Sequence, residues 1–427
     1  MVMGVALFGV LLVMLILGVP IALSMGLASL TALNLGQTAT SNLVLVQRMF
    51  TALDSFPFMA IPFFILAGDL MQTGGISTRL INFLKLVLNR VPARLAVIDI
   101  VGSGFFGAIS GSNPATVAAI GGILVPEMKK AGYPADKAGA IAASGGTLGV
   151  IIPPSISMVT YSLVASVSIG DMFLGGIVPG ALLCLALTTV CICTCYRIEK
   201  RITERVPWLS LLKAFWDALA ALMMPVIILG GIYGQFCTPT EAAAVACVYA
   251  YLISAVAYRE LKLRDMAKVL SKAAINTSIV LLTVAMAAPF SWLMTSQNIP
   301  PKIMQALLDL VSNKYAIFLI MNTTLLFLGC FLETQSIILL MTPILLPIAK
   351  QFGLDPIALG LIVVINTSIG MITPPMAVNL FVASSISGAS VESISRRILP
   401  FLAAAAGMLI LFTYVPEILT FLPNLLK

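Results

Sequence analysis

The chain has 427 residues, of which 60% are hydrophobic and 10% are charged, and its mean hydropathy is +1.08. A soluble domain carries roughly 25% charged residues to keep its surface wetted, so this composition excludes a soluble protein. The net charge of +7 does not indicate nucleic acid as a partner, because the basic residues lie in short clusters between apolar stretches, as loop charges of membrane proteins do.

Apolar segments long enough to enter a bilayer follow one another along the whole chain. In order, they cover about residues 4–18, 20–35, 46–73, 95–126, 138–196, 214–258, 273–298, 315–349, 356–387 and 398–422. At about 20 residues for each crossing, the chain has room for about 10 to 12 crossings. The sequence therefore predicts an all-α polytopic membrane protein, embedded in the lipid bilayer as one large bundle.

Two basic linkers set the predicted topology. The first contains Arg197, Lys200, Arg201, Arg205 and Lys213, and the second contains Arg259, Lys262, Arg264, Lys268 and Lys272. Residues 214–258 between them hold no Lys or Arg and are long enough for two crossings, so both linkers lie on one side of the membrane. The positive-inside rule makes that side the cytoplasm.

Residues 95–126 are flanked by basic residues on both sides, which places both of their ends at the cytoplasmic face. They are too few for two full spans and a turn, but they are long enough for two half-depth helices. We therefore predict a re-entrant hairpin; the alternative is a single span with a different loop assignment.

The sequence contains an internal repeat at an offset of 221 residues. The coincident Pro and Gly residues are Pro126 with Pro347, Gly132 with Gly353, Gly149 with Gly370, and Pro153-Pro154 with Pro374-Pro375. So many coincidences in one register indicate a repeated structural unit. About five predicted crossings separate the equivalent spans near 138 and 356, and an odd number makes the two repeats inverted. Inverted repeats with interrupted helices are typical of secondary transporters, whose binding sites lie near the bilayer midplane.

The repeat divides the chain into a scaffold and a transport domain, each in two parts. The scaffold is predicted to consist of residues 1–90, which include an amphipathic arm, and residues 197–298. The transport domain is predicted to consist of residues 91–196, with a hairpin at about 95–126 and a broken helix at about 138–168, and residues 299–427, with a hairpin at about 302–350, a broken helix at about 356–387 and a last helix.

Both repeats contain a proline pair that a continuous helix cannot accommodate. Paired prolines remove two N–H donors, and the residue before a proline avoids the α conformation. In lipid the freed carbonyl groups need partners, and a hard cation that prefers oxygen ligands is an economical one. Residues 149–154 and 370–375 are therefore predicted to bind cations. The alternative is a pair of proline kinks whose carbonyl groups are satisfied by neighbouring helices or water.

Each interruption needs a facing element, and in the first repeat this is residues 110–116, in the middle of the predicted hairpin. Its Gly, Asn and Pro residues indicate a turn followed by a helix, whose hydroxyl, amide and N-terminal groups suit a small cation or an anionic group. The counterpart in the second repeat contains Glu333, the only charged residue within 315–349. A carboxylate at that depth is a functional candidate, with a paired structural carboxylate as the alternative. Weaker candidates, closer to the predicted span ends, are Asp54, Asp69 and Asp99.

Three features together resemble a known family. They are Gly-Ser-Asn-Pro-Ala-Thr at 111–116, the two Pro-Pro breaks, and Gly-Gln-Phe-Cys-Thr-Pro-Thr-Glu-Ala-Ala at 234–243. Over essentially the whole chain, the sequence is similar to the large membrane subunit of tripartite ATP-independent periplasmic (TRAP) transporters. The resemblance implies a multi-pass protein of the bacterial inner membrane that imports small organic acids, such as sialic acid or C4-dicarboxylates. It also implies sodium coupling and an elevator movement of the transport domain against the scaffold.

The resemblance further implies partners and site residues. The partners are a small four-helix membrane subunit, expected here as a separate polypeptide, and a soluble periplasmic binding protein that delivers the substrate. The first sodium site is expected at Ser110, Ser112, Asn113, Gly149, Ile152 and Pro154. The repeat then proposes Gly329, Thr334, Gly370, Thr373 and Pro375 for a second sodium ion, although the second hairpin tip departs from the Ser-Asn-Pro-Ala-Thr pattern. Substrate contacts expected by position only are Ser112, Asn113, Thr116 and Met376.

Other functions find less support in the sequence. The chain has no histidine, which excludes Ser-His and Cys-His catalysis, and no catalytic acid pair for an intramembrane enzyme. It has no G-x-x-x-x-G-K-[ST] phosphate loop for an ATP-driven pump. Cys191, Cys193 and Cys195 do not predict a metal site, because residues two apart on a helix point to different faces. The alternative to a tripartite system is a stand-alone sodium-coupled carboxylate symporter of similar fold, without a binding protein.

Overall fold

The structure, a computed structural model, describes residues 2–36, 41–199, 207–310 and 313–426. Every regular element within these ranges is helical, which confirms the predicted all-α fold. Lys200, Arg201 and Arg205 of the first basic linker lie outside the described residues.

Five helices precede the first hairpin. They are α1 (Val2–Ile16), α2 (Ile21–Leu35), α3 (Leu43–Leu53), α4 (Ala60–Thr73, after a 3₁₀ turn at Phe56–Met59) and α5 (Ile76–Val87). Gly18, with φ +77°, and Pro20 separate α1 from α2, and the two helices pack against each other. α5 buries Leu80, Ile81 and Leu84 and exposes Thr78 and Asn82 on its other face, so this helix is amphipathic.

The first repeat contains a helical hairpin and a broken helix. Its elements are α6 (Arg94–Ser110), α7 (Asn113–Thr116), a π-helical segment (Val117–Gly121), α8 (Gly122–Lys130), α9 (Ala135–Gly146), a 3₁₀ turn (Thr147–Val150), α10 (Ile156–Ala165) and α11 (Ile169–Cys195). The hairpin runs from α6 to α8, and the broken helix consists of α9 and α10. On α11, Cys191 and Cys195 are buried and Cys193 is exposed, so the three thiols do not converge.

Three long helices connect the repeats. They are α12 (Trp208–Tyr233), α13 (Pro239–Leu252, extended by a π-helical segment at Ile253–Ala257) and α14 (Leu263–Ser296). α13 begins with a capping box, in which the Thr238 hydroxyl accepts from the Glu241 N–H and the Glu241 carboxylate accepts from the Thr238 N–H at 2.8 Å. This local chemistry explains why the Gly-Gln-Phe-Cys-Thr-Pro segment ends one helix and starts the next.

The second repeat also contains a helical hairpin followed by a broken helix. Its elements are α15 (Ile299–Leu310), α16 (Lys314–Gly329), α17 (Thr334–Gln351), α18 (Pro356–Gly370), α19 (Val378–Ser387), α20 (Val391–Tyr414) and α21 (Glu417–Leu425). α15 precedes the hairpin, and α21 lies at the end. The second hairpin begins at Lys314 rather than at the predicted residue 302, because 299–310 folds as a separate amphipathic helix. The Asn313 side chain then accepts from the Tyr315 N–H at 2.9 Å and caps α16.

Helix boundaries recur at the offset of 221 residues. The second arm of the first hairpin, 113–130, corresponds to α17, and α9 with its 3₁₀ turn, 135–150, corresponds to α18. The Ser368 hydroxyl donates to the Thr147 carbonyl oxygen at 2.7 Å, and these two residues are themselves 221 positions apart. The two repeats therefore meet where their broken helices unwind.

Six helices of the described chain are long and apolar enough to cross a membrane: Phe56–Thr73, Ile169–Cys195, Trp208–Tyr233, Pro239–Ala257, Arg264–Ser296 and Val391–Tyr414. The halves of the broken helices are shorter, as interrupted spans should be. These helices confirm a multi-pass membrane protein.

Packing exchanges elements between the two halves of the chain. α2 packs against α14, and α13 packs against α4. α10 packs against α17, while α19 packs against α9 and the second arm of the first hairpin. Each broken helix thus places its second half on the hairpin of the other repeat, which brings tips and breaks together at the centre of the molecule.

Candidate functional site

The tip of the first hairpin is a tight turn between two helices. α6 ends at Ser110 and is followed by Gly111 with φ +60°, a conformation that glycine adopts without strain. A Cβ on Gly111 would lie 3.2 Å from the Ile156 backbone nitrogen, so the tip also touches the start of α10. The next helix begins at Asn113 with Pro114 in its first turn, where a missing N–H costs nothing.

Three oxygen atoms converge behind this tip. The Thr116 hydroxyl donates to the Ser112 carbonyl oxygen at 2.8 Å, and the Ser110 and Thr116 hydroxyl oxygens are 2.9 Å apart. The Ser110 hydroxyl is also 3.3 Å from the Ser112 carbonyl oxygen. A Cβ on Gly149 would stand 2.6 Å from that carbonyl oxygen and 2.7 Å from the Thr116 hydroxyl, so only glycine lets the broken helix approach the three oxygens. Hydroxyl and carbonyl oxygens are the ligands that a hard cation prefers.

Asn113 connects the tip to both breaks. Its side-chain oxygen accepts from the Val150 N–H at 3.0 Å, and its amide donates to the Ser368 hydroxyl at 2.7 Å. Ser368 in turn donates to Thr147. Because its side chain is buried and its amide is engaged on both sides, Asn113 holds the first tip against the repeat centre.

The other two residues expected at the first sodium site lie at its edges. The Pro154 carbonyl oxygen is 3.4 Å from the position of a Cβ on Gly111, beside the tip. The Ile152 side chain packs against Gly104 of α6 and Gly180 of α11. The structure therefore brings Ser110, Ser112 and Gly149 together and adds Thr116, which sequence reasoning had assigned to the substrate.

At the second break, the backbone approaches closely through two glycines. A Cβ on Gly370 would lie 2.5 Å from the Gly329 Cα, and a Cβ on Gly329 would lie 3.3 Å from the Thr367 carbonyl oxygen. Thr334 donates to the Met371 sulfur at 3.4 Å, and the Thr373 hydroxyl bonds within its own turn to the Ile369 carbonyl oxygen. Pro375 is exposed. Gly329, Gly370 and Thr334 thus surround the second break, which is built mainly from backbone.

A cavity of about 320 Å³ lies between the two hairpin tips. Its wall is formed by the tips, the breaks, parts of α6 and α10, and helices α4 and α14 of the predicted scaffold. The lining residues are Ile65, Gly68, Asp69, Gln72, Phe106, Ser110, Gly111, Ser112, Asn113, Pro114, Ala115, Val150, Ile156, Ser157, Asn276, Ile279, Val280, Glu333, Thr334, Gln335 and Met371. Of the expected substrate contacts, Ser112 and Asn113 line this cavity, Thr116 lies with the oxygens behind the tip, and Met376 is 58% exposed outside it.

Helix α4 contributes a charged residue to the cavity wall. Asp69 of α4 pairs with Lys272 of α14 at 2.7 Å, and the Lys272 ammonium also donates to the Gln72 side-chain oxygen at 2.9 Å. Glu333, at the start of α17, is the other acidic group of the lining. Within the described chain, sequence reasoning missed Gln72, Ser157, Asn276, Gln335 and the role of Lys272. Polar residues such as Asn276 inside an apolar run were the available signal, but that signal does not say which face of the helix they occupy.

Comparison with known proteins places this site in a family. The family model "Tripartite ATP-independent periplasmic transporter, DctM component" matches residues 8–418. The isethionate TRAP transporter permease protein DctMQ of Oleidesulfovibrio alaskensis is 43% identical over 96% of this chain, which spans 65% of that relative's length. The C4-dicarboxylate TRAP transporter large permease protein DctM of Rhodobacter capsulatus is 37% identical, with 98% of both chains covered. The sialic acid TRAP transporter large permease protein SiaM of Vibrio cholerae is 33% identical, over 96% of this chain and 95% of its own.

Solved structures show the same fold at low sequence identity. The YdaH transporter of Alcanivorax borkumensis matches with a TM-score of 0.61 and 14% identity over 87% of this chain and 86% of its own. MtrF of Neisseria gonorrhoeae matches with a TM-score of 0.57 and 14% identity over 87% and 84% of the two chains. Together, the family model and the relatives establish that this chain belongs to the DctM components of the tripartite ATP-independent periplasmic transporters, as a multi-pass protein of the inner membrane.

Proposed function

We propose that this chain carries a small organic acid across the inner membrane in symport with sodium ions. Its relatives are named for isethionate, C4-dicarboxylates and sialic acid, all of them small organic anions. The family also suggests two partners, a small membrane subunit with four helices and a soluble periplasmic protein that delivers the substrate. The single observation that carries the proposal is the cavity between the two hairpin tips.

The chemistry of this cavity suits an organic anion. Two long helical segments, starting at Asn113 and at Thr334, begin at its wall, and the partial positive charge at a helix N-terminus favours a carboxylate or sulfonate. The Ser112 and Ser157 side chains and the Asn276 amide offer hydrogen bonds to hydroxyl or carboxylate oxygens. Ile65, Phe106 and Ile279 supply apolar contacts for the carbon skeleton.

The oxygens behind the first tip fit a sodium ion. Ser110 and Thr116 would hold it with their hydroxyl oxygens and Ser112 with its carbonyl oxygen, against the bare backbone of Gly149. At the second break, where Gly329 and Gly370 approach closely, the Thr367 carbonyl oxygen, which also accepts from the Met371 N–H at 3.1 Å, would be a ligand of a second ion. When bound, sodium supplies positive charge to the oxygen atoms of the tips. The residues of the first tip position Asn113, and the helical segment that begins there, at the cavity wall.

This arrangement suggests how ion and substrate are coupled. Tips and breaks belong to the two repeats, whereas Asp69 and Asn276 on the opposite wall belong to scaffold helices. A site that lies between the repeats and the scaffold helices opens to one side of the membrane or the other when the repeats move past the scaffold. We therefore propose an elevator movement, in which filled tips detach from α4 and α14, a population shift driven by differential affinity for sodium.

The test is uptake into proteoliposomes that contain this chain with its small membrane subunit. A radiolabelled candidate acid and the periplasmic binding protein are supplied outside, with or without an inward sodium gradient at constant ionic strength. Uptake that requires both the gradient and the binding protein supports the proposal. Uptake that does not depend on the sodium gradient contradicts the ion coupling. Sodium-driven uptake without the binding protein identifies a stand-alone symporter instead.

A further inference from the structure

A buried carboxylate without a partner lies in the first arm of the first hairpin. Asp99 of α6 is 0% exposed, and neither of its carboxylate oxygens has a hydrogen-bond partner among the described residues. Ser103, one turn further along the same helix, is 1% exposed, and its hydroxyl also has no partner there. An ionised carboxylate in such a place is strongly unfavourable unless something neutralises it.

Both side chains point at the same bare stretch of backbone. A Cβ placed on Gly145 of α9 would lie 2.7 Å from the Ser103 hydroxyl oxygen and 2.9 Å from the Asp99 Oδ1. The carboxylate and hydroxyl oxygens therefore lie directly against the bare backbone of α9, an approach that is possible because residue 145 has no side chain. Every larger residue at this position would collide with both oxygens.

The second repeat provides an internal comparison for the position of Gly145. At the offset of 221 residues Gly145 corresponds to Asn366, whose side-chain amide donates to the Asn322 carbonyl oxygen and to the Asn322 Oδ1, at 3.0 Å each. Asn322 in turn donates to the Thr413 hydroxyl at 2.8 Å. The second repeat thus fills the equivalent position with an N–H donor. The first repeat presents only acceptors to it, apart from the Ser103 proton.

The charged groups nearby are engaged elsewhere. Lys137 on α9 donates its ammonium to the Thr194 carbonyl oxygen, and Arg94 at the start of α6 pairs with Glu199. On α11, the Cys191 thiol is buried and close enough to the carboxylate to interact with it electrostatically. No ion pair of the described chain includes Asp99.

We propose that Asp99 and Ser103, which lie against the bare backbone of Gly145, bind a sodium ion at a site separate from the hairpin tip. Asp99 precedes Ser110 on one continuous helix, which separates the two sites by about 16 Å at 1.5 Å per residue. A monovalent cation neutralises the carboxylate and takes both oxygens as ligands. The second repeat needs no such ion, because the amide of Asn366 occupies the equivalent position. This site does not depend on sodium binding at the tips.

The test is equilibrium binding of ²²Na⁺ to the purified full chain, with choline chloride holding the ionic strength constant. Asp99→Asn should bind one sodium ion fewer per chain at saturation, while Glu392→Gln, which changes an exposed acid, should bind as many as the wild type. Ser110→Ala affects the tip site. The loss of bound sodium that it causes should therefore add to the loss caused by Asp99→Asn. Unchanged stoichiometry in a folded Asp99→Asn protein overturns the proposal, because the carboxylate then holds a proton instead.

A second variant decides the matter if Asp99→Asn fails to fold. Ser103→Ala keeps the carboxylate and removes only a hydroxyl group. We expect it to weaken one class of sodium site by at least about tenfold, because a direct ligand should matter no less than an outer partner of a metal ligand. Sodium affinity and stoichiometry equal to those of the wild type would overturn the proposal.

Discussion

Single glycines decide how closely the backbone approaches the proposed ion sites. At Gly149 the missing Cβ lets the broken helix reach the oxygens of Ser112 and Thr116, and at Gly370 it lets the second break reach Gly329. At Gly145 the same absence lets the backbone of α9 lie against the Asp99 carboxylate. A side chain at any of these positions would collide with the atoms that lie against the glycine.

We expect Gly149→Ala to abolish sodium-dependent uptake. The new methyl group would stand 2.6 Å from the Ser112 carbonyl oxygen, so either the tip or the break must move away. Gly407→Ala is the matched control, because a Cβ there meets nothing within 4 Å. Uptake in proteoliposomes, normalised to the amount of folded protein, is the measurement, and wild-type uptake by Gly149→Ala would contradict the proposed tip site.

At the scale of the helices, ion pairs join elements that the chain order keeps apart. Glu199, just after α11, accepts from the Leu95 N–H at 2.9 Å and the Tyr133 hydroxyl at 2.9 Å and pairs with Arg94 at 3.5 Å. Burial raises the pKa of the Tyr133 hydroxyl, and the Glu199 carboxylate raises it further, so the tyrosine stays protonated and donates. Glu199 thereby fastens the base of the first hairpin to α11.

Glu199→Ala should lower the stability of the folded protein by about 2–3 kcal/mol, because it removes two charge-assisted hydrogen bonds and leaves the partly buried Arg94 without its carboxylate. Thermal unfolding of the purified protein measures this. Glu392→Ala, which removes an exposed acid paired only along its own helix with Arg396, is the control and should have a much smaller effect. Equal melting temperatures for Glu199→Ala and the wild type would show that the base is held by packing alone.

Lys272 joins α14 to α4 at the cavity wall. Lys272→Met leaves Asp69 almost buried and unpaired, which should cost about 1–2 kcal/mol after allowing for the half-exposed lysine. Because Lys272 is also the basic group paired with Asp69 at the cavity wall, we expect its loss to reduce organic-acid uptake. Lys268→Met, at an exposed lysine one turn away, should do neither. Restoration of stability in the double variant Asp69→Asn/Lys272→Met checks that the pair, and not lysine alone, is responsible.

At the scale of the whole molecule, much of the fold could be predicted because membrane burial leaves few alternatives. Apolar length gave the helices, and the Pro-Pro pairs gave both breaks, since two adjacent prolines in the middle of a span remove two N–H donors from it. The start of the second hairpin was wrong, because the amphipathic helix α15 is apolar enough on one face to read as part of it. Composition does not report where one helix stops inside a continuous apolar run.

The candidate site was predicted less completely than the fold. The Ser-Asn-Pro tip and Gly149 stood out because turn residues and a repeated glycine are rare within apolar segments. Asp99 was ranked low because sequence distance from a span end does not reveal that a helix tilts its carboxylate into the protein. Asn276 and Ser157 reach the cavity only through packing of α14 and α10 against the hairpins, which is information that no local pattern contains.

The central claim is that sodium at the tips completes the site for the acid, and it is tested most directly by equilibrium binding. The affinity of the purified chain for its organic acid is measured by isothermal titration calorimetry, in sodium and in choline at equal ionic strength. Because linkage is reciprocal, sodium should tighten binding of the acid by at least about tenfold, or about 1.4 kcal/mol, and the acid should tighten binding of sodium by the same factor. Equal affinity for the acid in sodium and in choline would contradict the account.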